Sequence, residues 1–397
     1  MGLLDSFEKL RCLEKLHRHA RGSGHPGDLG GINYALGSRF RGNDAKGRVM
    51  IENVKGSKSI HFILTILFLN LCWVVSAHSQ SGNFFEGKTI TLFAGSSAGG
   101  GTDIATRLIA RHMERHMPGT RFMVVNKPGA GGMIAANELY NVRKPDGLTM
   151  STMNTGALFG IATGNDALKF DLRKFIFVGQ AFDEAQTVYM RSTTTYTSFD
   201  SIRKANKEGK QPKMGAQSLD HTSNVVVKIV AEILGLEFQV IPGYPGTPEI
   251  LLDIERGALD GRSQGTGSLL STRRAWIEQR FIRLLATSKN KRDPRIPEVQ
   301  TIEELAPSGK KNLLSALYAA ENIGRSIVLP PGVPPERVKV LRDAFAAMTQ
   351  DPQFLKEGEK IGLEIGLTRG EELNRDIEST VGDKEIMGIY RKIMTAQ

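Results

Sequence analysis

Cysteine is nearly absent from this chain of 397 residues, which contains only Cys12 and Cys72. Both lie before residue 80, so the rest of the chain has no thiol. This excludes a disulfide-stapled scaffold and a cysteine-based metal site from residues 80–397. We expect that part to fold around an ordinary hydrophobic core, which an apolar content of 40% can supply.

A hydrophobic run long enough to span a membrane is also missing. The longest apolar stretch, SIHFILTILFLNLCWV at 59–74, is shorter than the roughly 20 residues that a membrane helix needs. Lys55 and Lys58 precede it, and small residues suited to cleavage follow it. These features are typical of a secretory signal peptide, with an uncleaved anchor as the alternative. We therefore expect a signal peptide at 50–79 and a periplasmic location.

The 49 residues before Met50 do not suit an exported protein, because a signal peptide should begin the chain. They show little apolar periodicity. We expect residues 1–49 to be a non-native or disordered extension, with translation starting at Met50.

Positive charge is not concentrated in the exported part. Residues 1–79 contain eleven Lys and Arg against six Asp and Glu, so they supply half of the net charge of +10. The remaining basic residues are scattered among acidic ones, as on a solvated surface. This distribution argues against a nucleic-acid partner.

From residue 86 onwards, strand and helix patterns alternate. Thr89–Ala94 and Phe122–Val125 are predicted strands, and each is followed by a glycine-rich loop and a helical pattern. Two successive strand–loop–helix units predict a parallel sheet with right-handed crossovers. The later predicted strands are 148–153, 187–190, 213–216, 238–241 and 282–286, and the later predicted helices include 198–207, 225–234, 250–257 and 334–354.

The first loop reads GSSAGGGTD, from Gly95 to Asp103. Its glycine spacing fits a phosphate-binding P-loop, but Gly101 and Thr102 stand where that motif needs lysine and serine or threonine. The nucleotide interpretation is therefore weak. Two alternatives remain, a serine-hydrolase nucleophile and an anion-binding cup without catalysis.

The hydrolase alternative uses Ser97, which is the serine of a G-x-S-x-G pattern between a strand and a helix. A nucleophile elbow belongs to a strand deep in a sheet, however, and only residues 80–88 precede this strand in the exported chain. The order serine, acid, histidine also leaves only His112, His116 and His221 as bases. His112 and His116 share a helix face, but no third metal ligand accompanies them. We expect no metal and no cofactor.

The anion-binding alternative requires only backbone N–H groups at helix starts. The second loop, NKPGAGG at 126–132, repeats the arrangement at the next helix start. In a parallel sheet both loops lie at the carboxyl ends of the strands, where ligands bind. Two adjacent donor-rich loops suit a carboxylate. Asp103 could cap the helix, bind an amine or hydroxyl of a ligand, or hold the two loops together.

Three segments carry a family resemblance: TITLFAGSSAGGGTDIATRLIARHM, VVNKPGAGGMIAANELY and PDGLTM. In order and spacing they resemble the opening of Bug-type receptors, the periplasmic solute-binding proteins of tripartite tricarboxylate transporters. The likeness continues through IPGYPGTPEILLDIERGALDG, although this turn reads PGYPG rather than the common PYKG. It covers most of 85–397 and none of 1–50.

The resemblance implies an α/β fold of the type II periplasmic-binding-protein kind, with a ligand cleft between two domains. It places domain I at 85–186 and 325–397 and domain II at 187–324. It implies that the first two loops hold a ligand carboxylate and that turns of the second domain face them. The ligand-binding residues implied in this way are Ser97, Gly99, Gly100, Gly101, Thr102, Asp103, Gly129, Ala130, Gly131, Ser218, His221, Thr222, Gly243, Tyr244 and Gln264.

The function expected from the resemblance is capture of a small carboxylate, such as a dicarboxylate or tricarboxylate, by a monomeric protein that is not an enzyme. The closed protein would then deliver this ligand to the membrane permease of a tripartite tricarboxylate transporter. The alternatives are an exported serine hydrolase using Ser97 and a periplasmic sensor domain for an organic acid.

Overall fold

The computed structural model describes residues 84–182 and 185–395. The predicted signal peptide at 50–79 and the extension at 1–49 lie outside the described residues. Within the described ranges, none of the helices combines the length and the apolar character that crossing a bilayer requires.

The first sheet has six strands in the order β11-β4-β10-β3-β1-β2. Strands β1, β2 and β3 pair in parallel, as the two strand–loop–helix units predict. Strand β10 is antiparallel to both β3 and β4, so the complete sheet is mixed rather than parallel. The strands are β1 (Thr89–Ala94), β2 (Arg121–Asn126), β3 (Thr149–Met153), β4 (Ile176–Phe182), β10 (Ser326–Leu329) and β11 (Ile365–Arg369).

The second sheet has five strands in the order β7-β6-β8-β5-β9. Strand β8 lies in its centre, parallel to β6 and antiparallel to β5. The strands are β5 (Gln186–Arg191), β6 (Lys213–Gly215), β7 (Gln239–Ile241), β8 (Gly261–Gly265) and β9 (Ile282–Thr287). We call residues 84–182 and 326–395 the first lobe and residues 185–325 the second lobe.

Helices connect the strands of both lobes. In the first lobe they are α1 (Gly101–His116), α2 (Met133–Asn141), α3 (Gly156–Thr163), α10 (Pro335–Gln350), α11 (Pro352–Lys360), α12 (Gly370–Gly382) and α13 (Lys384–Thr395). In the second lobe they are α4 (Phe199–Lys207), α5 (Thr222–Leu234), α6 (Thr247–Arg256), α7 (Thr266–Glu278), α8 (Ile302–Leu305) and α9 (Lys311–Glu321).

Local sequence explains where several of these helices begin. Ser198 caps α4 by accepting a hydrogen bond from the backbone N–H of Ser201, whose hydroxyl accepts one in return from the N–H of Ser198. The predicted helix at 334–354 is divided into α10 and α11, because Asp351 caps a new helix that starts at Pro352.

The chain passes between the sheets twice, first between Phe182 and Gln186 and again between Thr287 and Ser326. The C-terminal helix α13 packs on α3 of the first lobe and on α5 and α9 of the second. One apolar core accordingly includes residues of both lobes. The domain boundaries at 186/187 and 324/325 stay a prediction.

Candidate functional site

A small cavity of about 40 Å³ lies between the two lobes. The first lobe contributes polar side chains from the start of α1 and from the end of β3, and the second lobe contributes the remainder. Its lining includes Thr102, Asn154, Thr155, Gln186, Gln217, His221, Thr222, Ser223, Thr247, Arg262, Gln264, Ser268, Glu321 and Arg325. The lining is therefore almost entirely hydrogen-bonding groups, and two of its members are arginines.

A second cavity, of about 10 Å³, adjoins the first at the glycine loops. Gly95 and Ser96 of the first loop and Gly131 and Gly132 of the second line it. The two cavities share Thr102, Asn154, Gln217, His221 and Arg325. Together they form one elongated site, with a glycine-loop end and an end in the second lobe.

The first turns of five helices meet at this site. The residues that line it include Thr102 of α1, Thr155 at the start of α3, Thr222 of α5, Thr247 of α6 and Ser268 of α7. The first N–H groups of a helix lack intrahelical partners, and the macrodipole adds partial positive charge there. The backbone alone thus makes the cavity favourable for an anion.

His221 lines both cavities and offers the site one neutral donor. The backbone N–H of Ser223 donates to His221 Nδ1 at 3.1 Å, so the ring proton lies on Nε2. Burial, followed by the charges of Arg262 and Arg325, lowers the pKa of His221 to about 3. The imidazole therefore stays uncharged at neutral pH and can donate only through Nε2.

Arg262 is a buried cavity residue that the sequence analysis missed. It lies on β8 and is only 2% exposed. Its Nε donates to the carbonyl of Ser263 at 2.9 Å, but its buried Nη1 has no hydrogen-bond partner among the described residues. The segment GRSQG has no β-branched or aromatic residue, so its sequence gives no signal for a strand.

The predicted site residues fall into three groups. The cavities are lined by Thr102, Gly131, His221, Thr222 and Gln264. Gln264 already uses both ends of its amide, because Tyr189 OH donates to Oε1 at 2.9 Å and Nε2 donates to Ser268 Oγ at 3.1 Å.

The second group lines a wider pocket of about 470 Å³, which shares Gln217 with the two smaller cavities. It consists of Gly129, Ala130, Ser218, Gly243 and Tyr244. Tyr244 is fixed by its hydroxyl, which donates to Asp253 Oδ2 at 2.6 Å.

The third group, Ser97, Gly99, Gly100, Gly101 and Asp103, lines none of these cavities. Several of its members touch the second lobe instead. A Cβ atom at Gly246 would lie 2.8 Å from Ser97 Cβ, and a Cβ atom at Gly101 would overlap the side chain of Ser268. This part of the first loop is therefore a lobe–lobe contact.

Comparison with known proteins agrees with the sequence resemblance to a transporter receptor. Residues 105–388 match the family model described as "Tripartite tricarboxylate transporter family receptor". The chain belongs to this receptor family. Among curated relatives, the "UPF0065 protein in gbd 5'region" of Cupriavidus necator is 27% identical over 295 residues, which cover 72% of this chain and 82% of that protein.

Solved structures show the receptor fold. The periplasmic binding protein BugD aligns with a TM-score of 0.65 at 22% identity, over 77% of this chain and 97% of that chain. MatC from Rhodopseudomonas palustris, solved with bound malate, aligns with a TM-score of 0.63 at 18% identity, over 77% of this chain and 99% of that chain. The predicted two-domain α/β fold of the periplasmic-binding-protein kind is thereby confirmed.

The family assignment also confirms that the chain is not an enzyme, since these proteins are solute-binding receptors. The environment of Ser97 agrees with this assignment. Ser97 packs against Gly246, while Nδ1 of His221 accepts its hydrogen bond from Ser223. The serine-hydrolase alternative is therefore dropped.

His112 and His116 line none of the cavities described above and lie beside acidic residues of α11 and its N-cap. His112 Nε2 is 3.2 Å from Glu357 Oε2, and His116 Nε2 is 3.2 Å from Asp351 Oδ2. Their helical spacing serves contacts between α1 and the segment 351–357.

Asp103 ties the first loop to the end of β2. The N–H of Gly99 donates to Oδ2 at 2.9 Å, and Oδ1 accepts from Arg107 Nε at 3.0 Å and Asn126 Nδ2 at 2.8 Å. Burial alone would raise the pKa of Asp103, but the hydrogen bonds from Arg107, Gly99 and Asn126 lower it. The carboxylate has three donors without a ligand, which favours a role in holding the loops.

The Asp103→Ala variant should lose about 2–3 kcal/mol of stability, because the Gly99 N–H and the Asn126 amide lose their acceptor. Arg107→Ala is the matched control and should cost less than about 1 kcal/mol, since Arg107 is half exposed. Urea unfolding measures both. Normal stability with lost ligand binding in Asp103→Ala would show instead that Asp103 contacts the ligand.

The hydrogen bonds of Asp103 also make the stability of the folded protein depend on pH. A lowered pKa in the folded state means that Asp103 stabilises the protein above the unfolded-state pKa of about 3.9 and loses this contribution as the pH falls below it. Asp103→Ala should therefore flatten part of the acid limb of the stability profile.

Proposed function

We propose that this receptor captures a small organic acid between its lobes in the periplasm and delivers it to the permease of a tripartite tricarboxylate transporter. The observation that carries the proposal is the convergence of five helix N-termini and a buried arginine on one cavity. Such a site favours a carboxylate over a neutral solute or a cation.

The balance of charges in the cavity supports an anion. Arg262 lines the second-lobe end and Arg325 lines both cavities, while the only acidic side chain in the described lining is Glu321. Glu321 is already engaged, since its Oε1 accepts a hydrogen bond from Ser288 Oγ. The neutral His221 adds a donor without adding a negative charge.

The glycine-loop end is proposed to hold one carboxylate of the ligand. Gly131 and Gly132 bring the backbone of the second loop against Ser96 and the start of α1. Thr102 supplies a hydroxyl there and lies within the first turn of α1. Backbone donors and a hydroxyl suit a carboxylate without requiring a lysine or arginine from this lobe.

Ligand entry requires the lobes to separate. A cavity of about 40 Å³ holds about three water molecules, which is less than an organic acid needs. Hydrogen bonds already join the lobes, since Thr222 Oγ1 lies 3.1 Å from Asn154 Oδ1 and Asn165 Nδ2 lies 2.5 Å from Asp220 Oδ2. We propose a hinged closure in which ligand contacts add to these bonds.

A thermal-shift screen of residues 80–397 tests ligand capture. The probes are small monocarboxylic, dicarboxylic and tricarboxylic acids, each compared with its neutral amide. A ligand at one hundred times its dissociation constant stabilises the folded form by about 2.7 kcal/mol, which raises the melting temperature. The screen is repeated after denaturation and refolding to remove any ligand retained from the cells. No shift with any acid in the refolded protein would contradict the proposal.

Delivery is tested by deleting the gene and measuring uptake of the acid that the screen identifies. Uptake should fall if the receptor serves a transporter. A sensor domain would instead leave uptake intact and alter the transcriptional response to the same acid. The proposal that the receptor acts as a monomer is checked on the purified protein by light scattering.

A further inference from the structure

We propose that Arg262 determines specificity by binding a second acidic group, so that the receptor selects a small dicarboxylate over a monocarboxylate. This inference rests on the proposed function, because it assumes that the glycine-loop end holds the first carboxylate. It assigns the opposite end of the same cavity to the second one.

The first step of the argument is the position of the guanidinium. Arg262 occupies the central strand of the second sheet and lines the cavity beside Gln264 and Ser268. The glycine-loop residues Gly131 and Gly132 line the adjoining cavity, which does not include Arg262. Because the cavities share part of their lining, a ligand spanning both would meet donors at each end.

The second step is that the guanidinium is unpaired. No carboxylate of the described residues lies within 4.0 Å of it, and its Nη1 is buried without a hydrogen-bond partner. Its one described hydrogen bond goes to the carbonyl of its own neighbour, Ser263. Arginine remains protonated in proteins, so the cavity contains a buried charge that no ion pair within residues 84–182 and 185–395 matches.

The third step is energetic. An uncompensated buried charge costs stability, and natural proteins pair such charges. Gln264, which lies two residues along the same strand, is held by Tyr189 and Ser268 rather than by Arg262. An anionic group of the ligand would supply the missing partner, and a planar carboxylate fits the guanidinium through two parallel hydrogen bonds.

The other charged or titratable groups that line this cavity do not supply the missing anionic partner of Arg262. Arg325 has an interaction partner of its own, whereas the buried Nη1 of Arg262 has none among the described residues. Glu321 accepts from Ser288 and has a further interaction. His221 is neutral and cannot substitute for an anion.

Calorimetry with paired probes tests the inference. The α,ω-dicarboxylates from malonate to adipate are each compared with the corresponding monoamide, which keeps the length and removes one charge. At the best length the diacid should bind about 30-fold more tightly than its monoamide. In Arg262→Gln the ratio should fall below about 3-fold, because the charge-assisted bonds are lost. Arg262→Lys should give an intermediate ratio, since it keeps the charge and loses the planar fork.

Melting temperatures of the ligand-free protein separate specificity from structure. Arg262→Met should raise the melting temperature, because it replaces an unpaired buried charge with an apolar side chain. A lower melting temperature would mean that the guanidinium is structural, and this result would overturn the inference. An unchanged ratio of the affinity for the diacid to the affinity for the monoamide in Arg262→Gln would also overturn the inference.

The proposed function and this inference fail differently. If monocarboxylates and monoamides bind the wild-type protein as tightly as diacids, the receptor still captures an organic acid and only the role of Arg262 is wrong. If no carboxylate of any class binds the refolded protein, both are wrong.

Discussion

Replacing Gly101 with alanine is expected to weaken ligand binding about 30-fold or more while leaving both lobes folded. A Cβ atom at this position would overlap Ser268 Oγ and Cβ and would lie 3.1 Å from Ser268 Cα. Ser268 belongs to α7 of the second lobe, so the clash arises only when the lobes meet. The variant should therefore favour the open form, which lacks the contacts that hold a ligand.

Gly100→Ala is the matched control in the same loop. Gly100 has a φ of −78°, which alanine adopts without strain, and its added Cβ would have ordinary contacts at 3.5 Å. The affinity of Gly100→Ala for the acid identified by the screen should stay close to that of the wild type. Small-angle scattering should show a larger radius of gyration for ligand-free Gly101→Ala than for Gly100→Ala.

A compensating substitution sharpens this test. Ser268→Gly removes both Oγ and Cβ, so the Gly101→Ala/Ser268→Gly pair should recover part of the lost affinity. Recovery is partial because Ser268 Cα would remain 3.1 Å from the Cβ atom added at position 101. Equal affinities for Gly101→Ala and Gly100→Ala would contradict the idea that closure requires this contact.

The contact between Gly101 and Ser268 bears on how glycine-rich loops are interpreted from sequence. The pattern GSSAGGGTD suggested glycines that let an anion approach, and the structure gives Gly101 a different neighbour. Gly131 combines both uses, since it lines the small cavity, has a φ of +62° and would bring a Cβ within 2.6 Å of Ser218 Oγ. Contacts such as that between Gly101 and Ser268 join distant parts of the chain, so no local pattern predicts them.

Much of the fold follows from periodicity. Strand β1 is predicted with its observed bounds, and β2, β5 and β9 differ by one or two residues, because each is a compact apolar run beside a turn or helix signal. Strands β4, β8 and β11 are missed. The segment GRSQG of β8 is recognised as a strand only through its pairing with β5, which tertiary structure imposes.

That omission explains why Arg262 escaped the sequence analysis. An arginine between glycine and serine suggests a solvated turn, and most arginines among the described residues are indeed exposed. Its burial depends on β8 lying between β5 and β6. His221 and Thr222 were predicted through the family resemblance, which implies that turns of the second domain face the glycine loops.

Tyr390→Ala should reduce the stability of the whole receptor by about 3–5 kcal/mol, the largest stability loss that we predict. Tyr390 lies on α13 and is 1% exposed. Its ring packs edge to face on Phe159 of α3 at 4.7 Å, and its hydroxyl donates to the carbonyl of Ala316 on α9 at 2.6 Å. One side chain therefore contacts both lobes.

Tyr390→Phe separates the ring from the hydroxyl. It should cost only about 1 kcal/mol, because the ring contact with Phe159 remains and one hydrogen bond is lost. Urea unfolding followed by tryptophan fluorescence and by circular dichroism measures both variants. Equal losses in the two variants would show that the hydroxyl, rather than the buried ring, fastens the helix.

The position of α13 also limits how the lobes can move. Lys228 of α5 donates to the carbonyls of Ile393 and Met394 at 3.3 Å, which fixes the end of α13 to the second lobe. We therefore expect the proposed closure to be a rotation about this attachment, with the cavity side opening and the α13 side remaining packed. Tyr390→Ala should consequently loosen the hinge side, whereas Gly101→Ala opens the opposite side. Hydrogen exchange should show increased exchange in α3 and α9 for Tyr390→Ala, and near the start of α1 and α7 for Gly101→Ala.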